Sequence, residues 1–246
     1  MKQRYKLLIE YDGSEFSGWQ KQPEERTVEG VIEQALSTLF QSEIDIIGQG
    51  RTDAGVHALQ QVAHADLPEL YDQRRIIHAM RGLLPEDVTI YGVEKKDTSF
   101  HSRFDAISRT YTYSIVNRPI PLDRHKTWYS FMECDFNVLD DCANRILGDH
   151  DFLQFCIANQ DPHLTTRCII SESKWRRRDG LIEYTITGNR FLRHMVRRLV
   201  GTMVHVSAGK ASLHDFQEML TSSKDNISAY TAPAHGLTLK SVSYPT

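Results

Sequence analysis

Hydrophobic and polar positions alternate through "YKLLIEYDG" near the start of the chain, the two-residue period of a strand with one buried face, and a turn follows. In "TVEGVIEQALSTLF" the period lengthens. Val28, Ile32, Ala35, Leu36 and Leu39 fall on one helical face, with Thr27 placed as the cap. "IDIIG" and "QQVAHADL" read as strands on either side of a glycine-rich loop. "YDQRRIIHAMRGLLP" predicts a helix that stops near Pro85, and "VTIYGVEK" predicts a fourth strand.

The second half repeats this order. "RTYTYSIV" alternates, and "NVLDDCANRILG" follows with helical spacing. "RCIISESKW" and "LIEYTITG" predict a hairpin across "RRRDG", where Asp-Gly suits a tight turn. A long helix is expected over "RFLRHMVRRLVGTMVHV", another over "SLHDFQEMLTS", and "LTLKSVSY" closes the chain as a strand. Each half thus reads as strand–helix–strand–strand–helix–strand, the ferredoxin-like order. The expected class is α+β: two tandem ferredoxin-like (RNP-like) units, residues 1–105 and 106–246, whose mostly antiparallel sheets join around a central cleft.

Composition narrows the partners. The chain has 246 residues, 40% of them hydrophobic and 25% charged, and a formal net charge of −3. No apolar run approaches the ~20 residues needed to span a bilayer. The N-terminus runs straight into a strand pattern with no signal peptide, so a cytoplasmic protein without membrane partners is expected. Cys134, Cys142, Cys156 and Cys168 form no C-x-x-C pair, which predicts free, buried thiols and no metal site. Against the acidic balance, residues 172–198 hold Lys174, Arg176, Arg177, Arg178, Arg190, Arg193, Arg197 and Arg198, but only three acids. That stretch is either a solvated charged face or a local surface for nucleic acid.

The glycine-rich loop "GQGRTDAGVHA" is not a phosphate cradle. Gly55 is followed by Val56 and His57, so the lysine of a P-loop is missing. Gly48 and Gly50 begin a dinucleotide fingerprint, but Asp53 stands where its third glycine belongs and would repel a pyrophosphate. What remains is Arg-Thr-Asp bounded by glycines on a strand-to-strand loop. Asp53 either caps that turn or does chemistry. His57, next to the motif, is tempting as a base, although a bond to its own loop is the simpler reading.

"GRTDAGVHA" resembles the signature of the tRNA pseudouridine synthase A family. "YDGSEFSGWQKQ", "FHSRFDAISRTYTY", "GDHDFLQF", "FLRHMVRRLVG" and "TAPAHGLTLKSVSY" resemble further blocks of that family, in its order, along nearly the whole chain. The resemblance implies isomerisation of uridine to pseudouridine at nucleotides 38, 39 and 40 of the tRNA anticodon stem-loop. It also implies a homodimer and no cofactor, since the N1–C1′ bond breaks and C5 joins C1′ with no redox change and no second substrate.

The same resemblance assigns residues. Asp53 would be the catalytic carboxylate, whether it attacks the base, attacks the sugar or takes the C2′ proton. Arg197, from "HMVR", would pair with it and keep it ionised in a dry pocket. On a single helix, Arg190, Arg193, His194, Arg197, Gly201 and His205 would share a face opposite the apolar stripe, with Gly201 leaving room for another chain. Tyr111, the first tyrosine of "TYTY", would be a catalytic residue, stacked on the target base and a candidate for the proton transfer, while Tyr113 is read as core. Arg51 would fill the RNA stack behind the extruded uridine, or else bind a phosphate at the surface. Phe100, His101, Arg103 and Phe104 would help select the site, and Leu237 would line the uracil pocket.

Two other classes fit parts of the sequence. A non-catalytic RNA-binding module would use the basic stretch and the aromatics, yet has no use for Asp53. A two-carboxylate hydrolase would need a partner acid, for which Glu133, Asp149 and Asp151 are available. The stretch "CIANQDPHLTTRC", where a substrate-facing loop is expected, bears on which tRNAs are accepted.

Overall fold

A computed structural model describes residues 2–157, 165–221 and 228–245. The loop expected to face substrate lies largely outside these residues. The chain divides into two compact units, Met1–Ile107 with Thr238–Thr246, and Ser108–Leu237. The C-terminal strand, expected in the second unit, clusters with the first.

In the first unit β1 (Lys2–Tyr11), α1 (Val28–Phe40), β2 (Ile47–Gly48), β3 (His57–Pro68), α2 (Gln73–Leu83) and β4 (Val88–Lys96) follow one another. β1 lies between β4 and β3 and is antiparallel to both. The far edge of β3 is divided between two partners. Ala63 and His64 pair with β2, while His57 and Ala58 run parallel to Thr238 and Leu239 of the last strand, β10 (Leu237–Ser243). The alternation of β1 buries Tyr5, Leu7, Ile9 and Tyr11 on one face.

Thr27 caps α1 as expected, its side chain accepting from the Gly30 N–H. The helix buries Val28, Ile32, Ala35 and Leu36, but its last anchor is Phe40, and Leu39 is half-exposed. Glu29 and Glu33 are also buried on α1, held by hydrogen bonds rather than by apolar contact.

In the second unit the strands are β5 (Ser108–Val116), β6 (Trp128–Tyr129), β7 (Gly148–Asp151), β8 (Arg167–Arg178) and β9 (Leu181–Gly188). The helices are α3 (Phe136–Arg145), α4 (Met195–Ser207) and α5 (Leu213–Thr221). β5 pairs with β9, β9 with β8 and β8 with β7, all antiparallel, and the short β6 runs parallel to β5. Asp179 and Gly180 turn the β8–β9 hairpin with φ of 51° and 82°, the pair of positive angles a two-residue turn requires.

The long helix expected from Arg190 begins only at Met195. His194 before it is left-handed, φ 64°, and breaks the helical run. Arg190, Arg193 and His194 therefore share no helical face with Arg197. Within α4, Met195, Val196, Leu199, Val200 and Met203 are buried, as their spacing predicts. The four cysteines carry no disulfide; Cys142, Cys156 and Cys168 are buried, and burial pushes the Cys142 thiol up to about 12.

Both units together give a mixed fold with mostly antiparallel strand pairing and, among the described residues, five α-helices.

Candidate active site

Asp53 lies on the loop between β2 and β3, which other parts of the first unit grip on several sides. The Val56 N–H donates to the Asp53 carbonyl at 3.2 Å, closing a four-residue turn that Asp53 opens. Gly55 holds its third position with φ 77°, where a side chain would be strained. The preceding residue, Thr52, is buried: its hydroxyl meets the Tyr11 hydroxyl at 2.7 Å, and its carbonyl accepts the Trp19 N–H at 3.1 Å. Gln49 and Gln61 bond side chain to side chain at 3.0 Å, and Gln61 also donates to the Gly50 carbonyl. Asp53 itself is half-buried.

The segment of residues 13–19 backs this loop at van der Waals range. A methyl group on Gly13 would meet the Val56 carbonyl oxygen at 2.1 Å, and one on Gly18 the Thr52 carbonyl oxygen at 2.7 Å. Gly48 faces the fully buried Trp19 ring, which a methyl group would meet at 2.6 Å. Gly50 is different, with open space around it. The block "YDGSEFSGWQ" is thus the support on which the Asp53 turn rests.

Arg51 is exposed, and its Nε–H donates to Gln20 Oε1 at 2.9 Å. His57 is buried. Its Nδ1 accepts the Gly13 N–H at 3.0 Å, with Asp12 Oδ1 3.2 Å away, so this ring fixes the supporting segment.

The "FHSRF" block docks on β2, directly ahead of the Asp53 loop. Ser102 is fully buried, and its hydroxyl donates to the Ile47 carbonyl at 2.6 Å. Its N–H donates to Nδ1 of His64 at 3.2 Å. Burial, with the charges of Arg4 and His101, holds the His64 ring down at about 4, so it stays neutral and accepting. Phe100 packs its ring 5.4 Å from that of Tyr244, and Arg4 ties down the Phe100 carbonyl at 2.9 Å. His101 lies between His64 and Phe104, with ring centroids 4.8 and 4.3 Å away. Arg103 and Phe104 point outward, Phe104 with 75% of its surface exposed, and the guanidinium lies 5.7 Å from the Phe104 ring. The block divides accordingly: Phe100 and Ser102 anchor, whereas Arg103 and Phe104 present.

In the second unit, Tyr111 and Tyr113 share the buried face of β5. Tyr113 is core, as expected; its hydroxyl donates to the Pro233 carbonyl at 2.8 Å, and Gly236 lies against its ring. Burial pushes that hydroxyl far above its ordinary value, against the pull of the nearby Arg197 guanidinium. Tyr111 stands edge-on to Phe191 at 5.3 Å, with 9% of its surface exposed.

Arg197 is half-buried on α4, and the chain of residues 230–232 crosses it. Its Nε–H donates to the Ala232 carbonyl at 2.9 Å, and its own carbonyl accepts the Ala232 N–H at 3.0 Å. Gly201 makes this crossing possible, since a methyl group there would meet the Tyr230 carbonyl oxygen at 2.4 Å. The room expected at Gly201 for another molecule is filled by this chain's own backbone. Leu237 is buried at the head of β10.

The structure thus gathers Arg51, Asp53 and the "FHSRF" block in the first unit, and Tyr111, Arg197 and Leu237 in the second. Of the rival acids, Asp149 pairs with Arg167 at 3.2 Å, and Asp151 accepts from the Leu153 N–H and the Thr166 hydroxyl. These are turn and strand-edge roles; Glu133 is exposed. Among the described residues no group of three or more His, Cys, Asp or Glu is placed to hold a metal, and no helix is long and apolar enough to cross a membrane. Sequence reasoning passed over Tyr11, Trp19, Gln20 and Glu29. Trp19 and Gln20 lie in an irregular segment that carries no period, whereas Tyr11 reads as one more buried strand residue and Glu29 as a first-turn helix acid.

The family model for tRNA pseudouridine synthase matches residues 7–105 and 142–245. A tRNA pseudouridine synthase A of Porphyromonas gingivalis is 37% identical over 246 residues, covering 98% of this chain and 97% of its own. Those of Acetivibrio thermocellus and Chlorobium chlorochromatii are 37% and 38% identical, each over 97% of this chain and 98% of their own. A turn built around one aspartate, and likeness along the full length to proteins of one name, lead to one assignment: the chain belongs to the tRNA pseudouridine synthase family.

Proposed function

We propose that this protein isomerises uridine to pseudouridine at positions 38, 39 and 40 of the tRNA anticodon stem-loop, with Asp53 as the catalytic carboxylate. The observation that carries the reading is the turn Asp53–Val56, closed by its own hydrogen bond and resting on Thr52, which Tyr11 and Trp19 hold in place. A carboxylate that merely capped a turn would need no such support. One that must meet a sugar or base carbon within a fraction of an ångström does.

The reaction extrudes the uridine from its stem, breaks N1–C1′, turns the uracil and joins C5 to C1′; the C5 proton leaves to solvent and N1 takes one up, so the product is an isomer. Asp53 serves as the anion near C1′ or C6. Arg197 keeps it charged; an acid–guanidinium pair out of water loses about 3–5 kcal/mol when one member is removed. The grip of Ala232 on Nε supports this role because it fixes the guanidinium plane. Tyr111 stacks on the base, a contact worth about 1–3 kcal/mol, and its edge-on neighbour Phe191 supports the orientation of that ring. Leu237 lines the uracil pocket, and Arg51 fills the vacated stack. Arg103 and Phe104 are the exposed members of the segment that selects the site, joined by His101, whose ring lies against that of Phe104, and by Phe100, which anchors the segment.

The two ferredoxin-like units act as one enzyme, a homodimer that needs no cofactor and works in the cytoplasm on tRNA. The "RRRDG" hairpin, with Lys174, Arg176, Arg177 and Arg178 exposed, is a phosphate-binding surface for that substrate. Incubating the protein with unmodified tRNA transcripts and mapping pseudouridine nucleotide by nucleotide tests the reading. Product confined to positions 38–40, and absent with Asp53→Ala, is expected. Product elsewhere overturns the positions, and none from any transcript returns the protein to the binding-module class.

A further inference from the structure

Arg51 is an exposed arginine with a long, rotatable side chain, yet it is held. Its Nε–H donates to Gln20 Oε1 at 2.9 Å, and the other end of that amide, Nε2, donates to Glu29 Oε2 at 2.5 Å. Glu29 is buried at the start of α1, and the same carboxylate accepts the Lys21 N–H at 2.7 Å. The Glu29 N–H in turn donates to the Trp19 carbonyl at 3.0 Å.

The chemistry of the three groups leaves one arrangement. A guanidinium only donates, so the Gln20 oxygen must face Arg51, and the NH2 at the other end of the amide then donates to the Glu29 carboxylate, on which the Lys21 N–H also converges. From this relay we infer that Gln20 is a positioning residue for Arg51, oriented by the buried carboxylate of Glu29. Arg51 is thereby presented beside the Asp53 turn before RNA arrives. The contact uses Nε alone. Among the described residues neither terminal nitrogen of Arg51 has a bonding partner. The flat guanidinium is thus held at its root with its outer edge clear. Pre-ordering a side chain that would otherwise lose rotamer freedom on binding lowers the cost of inserting it.

The inference rests on the reading of Arg51 as the group that fills the stack behind the extruded uridine, and the test separates the two. Single-turnover rates are measured on an anticodon stem-loop whose target uridine is paired, and on the same RNA with the opposing nucleotide removed. Extrusion is cheaper from the second substrate. Gln20→Leu, and Gln20→Met as the variant that keeps the side-chain length, should slow the paired substrate about tenfold or more, the scale of a misplaced group. They should leave the unpaired one near the wild-type rate and add nothing to Arg51→Ala. If Arg51→Ala shows the selective loss and the Gln20 variants do not, the positioning role is overturned while the Arg51 reading stands. If Arg51→Ala treats both substrates as the wild type does, the Arg51 reading falls and takes the inference with it. Equal losses on both substrates that add to Arg51→Ala would make Gln20 a structural residue only.

Discussion

Gly55 holds φ 77° in the turn that Asp53 opens, Gly48 lies against the Trp19 ring, and Gly50 has open space and no positive φ. All three look alike in the sequence, and they answer differently to the same substitution. Gly55→Ala forces a side chain into the left-handed region, at a cost of about 1–3 kcal/mol. It also shifts Asp53, the residue proposed to carry the chemistry, so kcat should fall about tenfold or more while KM for tRNA changes little. Gly50→Ala should be close to neutral in both melting temperature and rate. Thermal melts and steady-state kinetics of the two variants side by side check this. Equal behaviour of the pair would mean that the geometry of the turn has no bearing on catalysis.

The elements that the period of the sequence specifies are those with one buried face. α1 with its Thr27 cap, the alternating β1 and β5, and the Asp179–Gly180 hairpin stand where their patterns place them. The start of α4 was not legible, because residues 190–194 carry apolar and basic side chains at helical spacing although His194 adopts a left-handed conformation. Period records which side chains could share a face; it does not record where the backbone leaves the helix. Nor does it reveal that Gly201 admits the segment of residues 230–232, separated from it by some thirty positions. That contact gives a prediction with an unusual sign. In a free helix Gly→Ala stabilises by about 1 kcal/mol. Here Gly201→Ala should destabilise by about 1–3 kcal/mol, the range for overpacking. It should also loosen both bonds between Arg197 and Ala232. A lower melting temperature together with a kcat loss larger than the loss of tRNA affinity is expected; a more stable variant would contradict the crossing.

For the whole molecule, the sequence suggests candidates for the chemistry but not the scaffolding around them. Asp53, Arg51, Tyr111 and Arg197 could be named from motifs, because each is a residue type the reaction calls for. The residues that hold them were not legible: Trp19 and Tyr11 beneath Thr52, Gln20 and Glu29 beside Arg51, Ala232 on Arg197. They act through contacts distant in sequence, and three of those contacts run through backbone groups that every residue type possesses. The central claim is that the Asp53 carboxylate performs the isomerisation. Joining C5 to C1′ expels the C5 hydrogen, so tRNA transcribed with uridine tritiated at C5 releases tritium to water once per pseudouridine formed. The wild-type protein should release it, and Asp53→Asn, with the same fold and tRNA affinity, should release none above background. Tritium released at the wild-type rate by Asp53→Asn would contradict the account.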